Sequence, residues 1–203
     1  RVRRNVLTLE DPIEYSIEGL TQVQVSKKLS FADALRATLR QDPDVILVGE
    51  VRDAETADLC IKAASTGHLV LTTIHANGAK EVTDRFIQLG VDPRILQSVL
   101  KFSAAQRLLK RLCPSCKKPV LGSDRDLILK KLSCEEIGIR AAIGAQFFSR
   151  NFDGCSQCTQ GAIGRIPVME YLTQAQAGRT FRETCLGLAW KGEVDFDEAL
   201  QTS

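Results

Sequence analysis

No stretch of this 203-residue sequence approaches the roughly 18 consecutive apolar residues that a membrane-spanning helix needs. Any role at a membrane is therefore expected to run through a partner or a peripheral surface. Charge of one sign is also missing. With 27 basic and 25 acidic residues the formal net charge is +2, which does not argue for nucleic acid as a partner. Nowhere does a glycine directly precede a lysine, which excludes a Gly-x-x-x-x-Gly-Lys-Ser/Thr phosphate loop within these residues. There is no internal repeat and no low-complexity segment. Histidine is confined to two positions, His68 and His75.

What is present is ordinary in bulk and specific in detail. Hydrophobic residues make up 44% and charged residues 26%, the balance of a globular chain that can bury a core in one domain or two. Seven cysteines without a leader segment lead to the expectation of a reducing compartment, the cytoplasm. Four of them form two Cys-x-x-Cys pairs, Cys113/Cys116 and Cys155/Cys158. Two thiolates two residues apart can grip one tetrahedral ion from a tight turn, and a second pair completes the shell. Pro114 and Ser115 in one pair, and Gly154 and Ser156 around the other, supply the turn chemistry. A structural four-cysteine zinc site is the expectation, with disulfides or separate buried thiols as the alternatives. Cys60, Cys134 and Cys185 read as small packing residues.

The chain changes character near Leu112. Before it, short apolar runs alternate with amphipathic segments, the pattern of a parallel α/β layer. Strands are expected at Val6–Leu9, Thr21–Val25, Val45–Val48 and Leu69–Thr73, the second with one exposed face and the others as buried strands. Ser30 with Asp33 and Asp53 read as helix caps, Gly67 as a helix stop, and Asp92-Pro93 as a helix start. Helices are expected over Lys80–Leu89 and Arg94–Leu109. After Leu112 glycines, cysteines and turn residues take over. There the reading places a metal-nucleated subdomain, with a short helix over Asp126–Ile139, a strand at Arg165–Glu170, and closing helices near Arg179–Lys191 and Phe196–Leu200. The expected divisions are 1–112, 113–172 and 173–203.

Chemistry is expected at the C-terminal ends of the strands, where open α/β sheets place their ligands. An apolar strand ending in an acidic residue, as Val45–Val48 runs into Glu50, can orient a metal ion or its water beside a phosphate. A second carboxylate, Glu10, on a neighbouring strand end can polarise an attacking water. His75, and with it His68, can sense or stabilise a terminal phosphate. Taken singly, each has a plainer reading as a cap, turn or core residue; the combination is what points to a phosphate site.

These residues also carry a resemblance. Thr8-Leu9-Glu10-Asp11-Pro12-Ile13-Glu14-Tyr15 resembles the Asp box of the secretion-superfamily ATPases. Leu39-Arg40-Gln41-Asp42-Pro43-Asp44 through Glu50-Val51-Arg52-Asp53 resembles their Walker B region, and Thr66-Gly67-His68 through Ile74-His75 their His box. Ala105-Gln106-Arg107-Leu108, the two cysteine pairs, Gly164-Arg165 and Glu170 resemble the tetracysteine module of the assembly branch, the type II secretion and type IV pilus extension ATPases. The resemblance implies a RecA-like α/β core with a small zinc-binding insertion and a C-terminal helical segment. It implies a hexameric, cytoplasmic motor, peripheral to the inner membrane through a platform protein, that couples ATP hydrolysis to pilin or pseudopilin assembly. By the same resemblance Glu10 would position or activate water, Glu50 would act near magnesium, His75 would approach the terminal phosphate and His68 would support that site or a subunit contact. Glu10, Glu50 and His75 would thus contact the nucleotide, and Arg52 and Arg107 would couple the site to its surroundings. A retraction motor is disfavoured, because that branch generally lacks the four cysteines.

Two departures qualify the match. The family's phosphate loop is not among these residues, and Ala76 stands where the family usually has threonine. The expectation is a C-terminal portion of a longer ATPase that binds zinc but by itself hydrolyses ATP poorly or not at all. The alternatives are a non-hydrolysing scaffold or a zinc adaptor using Lys110, Arg111, Lys117 and Lys118. Nucleic acid is not expected as its partner, because no aromatic residues interleave with that basic cluster.

Overall fold

A computed structural model describes residues 4–121, 146–175 and 178–202, and the single positions 126, 130 and 132. The helix expected over 126–139 thus lies almost wholly outside the described residues, as does Cys134. The chain divides into two compact units, Arg1–Ser103 and Ala104–Ser203. The first unit ends nine residues before Leu112, and residues 113–172 and 173–203 fall in the second.

The first unit is built on a four-stranded, wholly parallel sheet. Its strands are β1 (Val6–Glu10), β2 (Thr21–Gln24), β3 (Val45–Val48) and β4 (Leu69–Thr72), in spatial order β2-β1-β3-β4. The two inner strands are apolar because helices and neighbours close over them: Leu9, Ile46 and Val48 are fully buried. β4 departs from the expectation of a buried strand. It is an outer strand of the described sheet, and Leu69 and Leu71 are about half exposed, at 48% and 47%.

Four helices accompany this sheet: α1 (Phe31–Thr38), α2 (Ala54–Ser65), α3 (Glu81–Gln88) and α4 (Pro93–Val99). The Ser30 side chain caps α1 by accepting the Asp33 N–H, Asp53 caps α2 through the Thr56 N–H, and Asp92 caps α4 with Pro93 in its first turn. Gly67, just beyond α2, takes φ +101°, a conformation that costs glycine little and other residues more. Leu35, Ala57, Cys60, Ala63, Phe86 and Leu96 carry the helices onto the strands in one core. Burial pushes the Cys60 thiol up to about 12, with Asp53 adding to it, so this cysteine is an inert packing residue.

The helix expected over Arg94–Leu109 is corrected. α4 ends at Val99, and β5 (Phe102–Leu112) follows, starting in the first unit and continuing through the second. Alanine, leucine, glutamine and arginine are good helix formers, but here pairing with β8 (Ala162–Thr173) decides the conformation. The strand expected at Arg165–Glu170 is the middle of β8.

In the second unit β5 and β8 form a two-stranded sheet, and β6 (Lys118–Pro119) pairs antiparallel with β7 (Phe148–Ser149). Two helices, α5 (Phe181–Trp190) and α6 (Phe196–Thr202), close the core around Leu109, Val168, Leu186 and Phe196. A capping box starts α5: Thr180 accepts the Glu183 N–H while the Glu183 carboxylate accepts the Thr180 N–H. Trp190, the only tryptophan of the sequence, packs against this core. Arg107 also belongs here. Its guanidinium lies 4.4 Å from the Phe181 ring centroid and donates to the Thr202 carbonyl.

Candidate functional site

Because all four strands of the first unit run in one direction, their C-terminal ends lie along one edge of the sheet. Glu10 ends β1, Glu50 follows β3 by two residues, and His75 follows β4 by three. Backbone and side-chain hydrogen bonds stitch these ends together. The Gly49 N–H donates to the Leu9 carbonyl at 2.7 Å, the Val51 N–H to the Thr73 carbonyl at 2.9 Å, and Thr73 Oγ1 to the Gly49 carbonyl at 2.5 Å. Gly49 is needed for this closeness, since a Cβ there would stand 2.9 Å from the Leu9 oxygen.

Glu10 is held by two neighbours. Thr8 Oγ1 donates to its Oε1 at 2.5 Å and Gln22 Nε2 donates to the same oxygen at 3.0 Å. These hydrogen bonds, Thr8 first and Gln22 second, draw the carboxyl below its ordinary range, so it remains an acceptor near neutral pH. Neither Thr8 nor Gln22 stands out in the sequence as a site residue. Thr8 is two residues before Glu10, and hence on its face of the strand, and Gln22 is paired with Thr8 in the β1–β2 register.

Glu50 is a largely covered carboxylate, with 15% of its side chain exposed. Arg52 Nε donates to its Oε2 at 2.6 Å. Its Oε1 lies 2.7 Å from His75 Nε2, an ion-pair distance when the imidazole is charged. The approach lacks the alignment of a hydrogen bond, so this buried oxygen has no hydrogen-bond partner among the described residues. An orphaned carboxylate oxygen at a strand end suits a hard divalent cation or a water bound to one. His75 is nearly fully exposed and opens onto a cleft of about 640 Å³ that Asn77, Glu81, Asp84 and Arg85 also line.

His68 is not brought to this cluster. It precedes β4, and four strand residues at about 3.3 Å each place it roughly 13 Å away along the strand, at the opposite edge of the sheet. Its Nδ1 lies 3.0 Å from the Ala63 carbonyl and 3.1 Å from Thr66 Oγ1, at the C-terminal end of α2. That is a helix-end contact, at a carbonyl that also accepts the Thr66 and His68 N–H groups.

In the second unit Cys113, Cys116, Cys155 and Cys158 come together, their sulfurs all within 4.8 Å of one another. The Cys113–Cys155, Cys116–Cys158 and Cys155–Cys158 sulfur pairs are 3.8, 3.6 and 3.6 Å apart. A tetrahedral ion with metal–sulfur bonds of about 2.3 Å sets its ligand sulfurs about 3.8 Å apart, so the donors fit a metal the size of zinc. These cysteines are free thiols rather than disulfides. The Cys113 N–H donates to the Gly161 carbonyl at 2.9 Å, tying the first knuckle to the turn after the second. Gly161 has φ +80°, and a Cβ there would fall onto the Asn151 carbonyl. Burial and the neighbouring thiols push Cys116 up to about 12. Burial acts the same way on Cys158, but N–H and thiol hydrogen bonds, led by the Cys155 N–H, bring it down to about 7.

The fold and these two centres define an α/β protein with acidic strand ends on one unit and a four-cysteine cluster on the other. The family model described as type II/IV secretion system protein matches residues 1–187, and the chain belongs to that family. It is 43% identical over 170 residues to type II secretion system protein E of Pseudomonas aeruginosa, an alignment covering 82% of this chain and 32% of that protein. It is also 43% identical over 172 residues to the type IV pilus assembly ATPase PilB of Acinetobacter baylyi, covering 83% of this chain and 28% of the other. Among solved structures, the pilus retraction motor PilT with bound ADP superposes with a TM-score of 0.66 and 27% identity, over 98% of this chain and 52% of PilT. The chain spans about a third of the length of the curated relatives it matches. Among the described residues, no helix is long and apolar enough to cross a membrane.

Proposed function

We propose that this chain is the C-terminal part of a cytoplasmic motor ATPase that couples ATP hydrolysis to assembly of pilin or pseudopilin subunits in type II secretion or type IV pilus biogenesis. The observation that carries the reading is the convergence of Glu10, Glu50 and His75 on one edge of a parallel sheet in a chain of this family. Glu10, already ionised and oriented, accepts a proton from water or aligns it for attack. Glu50, with His75 beside it, would hold a magnesium ion or its water, and the ion would supply charge neutralisation at the phosphates. His75, exposed at the cleft, donates toward a terminal phosphate. His68 is left out of this chemistry by its position. The four-cysteine cluster is a structural zinc site that favours the assembly branch over retraction. A homohexamer seated on an inner-membrane platform protein, peripheral to the membrane, completes the proposal.

No Gly-Lys phosphate loop lies in these residues, so most nucleotide affinity must come from elsewhere in the polypeptide. The chain by itself is expected to turn over ATP poorly or not at all. The half-exposed Leu69 and Leu71 on β4 support a further element against that strand. The test is magnesium-dependent ATPase activity of this chain beside the full-length gene product, each also with Glu10→Gln. Turnover only in the longer protein, lost in the variant, is the expected result. Full turnover by the chain alone would overturn the division of labour. Silence in both would favour the second reading, a non-hydrolysing scaffold of the same machinery, which the missing loop also favours.

A further inference from the structure

We propose that Gln22 is the positioning residue of the Glu10 carboxylate, a role that rests on the reading of Glu10 as the water-orienting group. One side chain makes three hydrogen bonds here. Its Nε2 donates to Glu10 Oε1 at 3.0 Å and to the Tyr15 carbonyl at 2.9 Å, and its Oε1 accepts the Ile17 N–H at 2.7 Å. A primary amide has two N–H donors, and both are used. The orientation of the amide is fixed by the same partners: a flipped amide would set oxygen against a carboxylate and a carbonyl, and N–H against N–H.

Thr8 and Gln22 both donate to Oε1 of Glu10, and the Glu14 backbone N–H also hydrogen-bonds the carboxylate. Two side-chain donors converging on one oxygen restrain the carboxylate's terminal torsion. Thr8 can restrain Glu10 only within its own strand. Gln22 reaches it from β2 and joins it to the backbone of the segment between the two strands. That segment has little else to hold it, since Tyr15 is 80% and Ile17 52% exposed. A misplaced catalytic group loses rate far more than affinity, and displacement of about 1 Å costs on the order of 100-fold.

Two substitutions separate positioning from simple support of the segment. Gln22→Met keeps the volume and removes all three bonds. Gln22→Glu keeps an acceptor for the Ile17 N–H but removes both donors and sets a like charge against Glu10. In the full-length gene product both variants are expected to lower kcat about 10- to 100-fold with KM for ATP little changed. Amide exchange at Ile17 is expected to quicken only in Gln22→Met. If kcat instead follows the Ile17 amide, so that Gln22→Glu restores it, Gln22 merely holds the segment and the proposal falls. It also falls if neither variant loses kcat. The carboxyl NMR titration of Glu10 in this chain gives an arm independent of turnover: both variants should move it upward, and an unmoved titration overturns the contact itself. Should Glu10→Gln leave turnover intact while the titration moves, the catalytic reading of Glu10 fails and the contact stands.

Discussion

The two units of this chain hold their candidate site residues in opposite ways. In the first, Glu10, Glu50 and His75 are carried by strand ends whose positions follow from parallel register and from a core of leucine, isoleucine, valine and alanine. None of those three side chains belongs to the buried core of that unit. In the second, the cysteines sit on two turns some forty residues apart in sequence, and their meeting is itself part of the structure. Around them Lys117 Nζ donates to the Gly192 carbonyl at 2.6 Å, the Leu112 N–H to the Glu193 carbonyl at 2.8 Å, and the Arg150 N–H to Asp195 at 2.8 Å. The knuckle is thus tied to the helices that close the unit. One unit has a site resting on a fold, and the other has a fold resting on a site.

Metal removal is the strongest way to break that contrast. Structural zinc in small sites contributes on the order of 10 kcal/mol, so chelation or Cys113→Ser should abolish slow amide exchange in the second unit. The first unit's strands should stay protected, and loss of protection in both would show that the units are not independent. Next in size, Ile46→Ala should cost about 2–5 kcal/mol by denaturant unfolding of the first unit, with the metal content of the chain unchanged. Gly161→Ala reverses the emphasis. Backbone strain alone costs about 1–3 kcal/mol, and the crowded Asn151 carbonyl should weaken zinc retention against a competing chelator without touching the first unit. Asp53→Ala, which removes the α2 cap, should cost about 1 kcal/mol in the first unit only.

The smallest effect is a pH dependence. Glu10 has its folded pKa depressed below 4.5, chiefly by Thr8. Its contribution is therefore present above that value and is lost as pH falls through the folded pKa. Thr8→Val should shrink the stability difference between about pH 6 and about pH 3, measured as a shift in urea midpoint. An unchanged difference would show that the hydrogen bond does not persist in solution.

What could be read from the sequence follows the same divide. Caps at Ser30, Asp53 and Asp92 are local events, and each is where the residues say it should be. β1 and β3 announce themselves as apolar runs. β5 does not, because Ala104 to Leu109 suits helix and strand alike until β8, more than fifty residues later, supplies a partner. The outer position of β4 is likewise invisible in four apolar or β-branched residues. His68 and His75 flank one strand, and residues on the two sides of a strand lie at opposite edges of the sheet. That direction was legible, and it separates them. Gln22 was not, since only the Thr8–Gln22 register brings it to Glu10.

The lone tryptophan gives the molecule a built-in witness. Trp190 lies in the last turn of α5 against the second unit's core, and no indole occurs in the first. Emission excited at the red edge of the indole band therefore reports on one unit alone. Loading or loss of metal can be followed there without a label, while the unit that carries Glu10 and Glu50 stays dark.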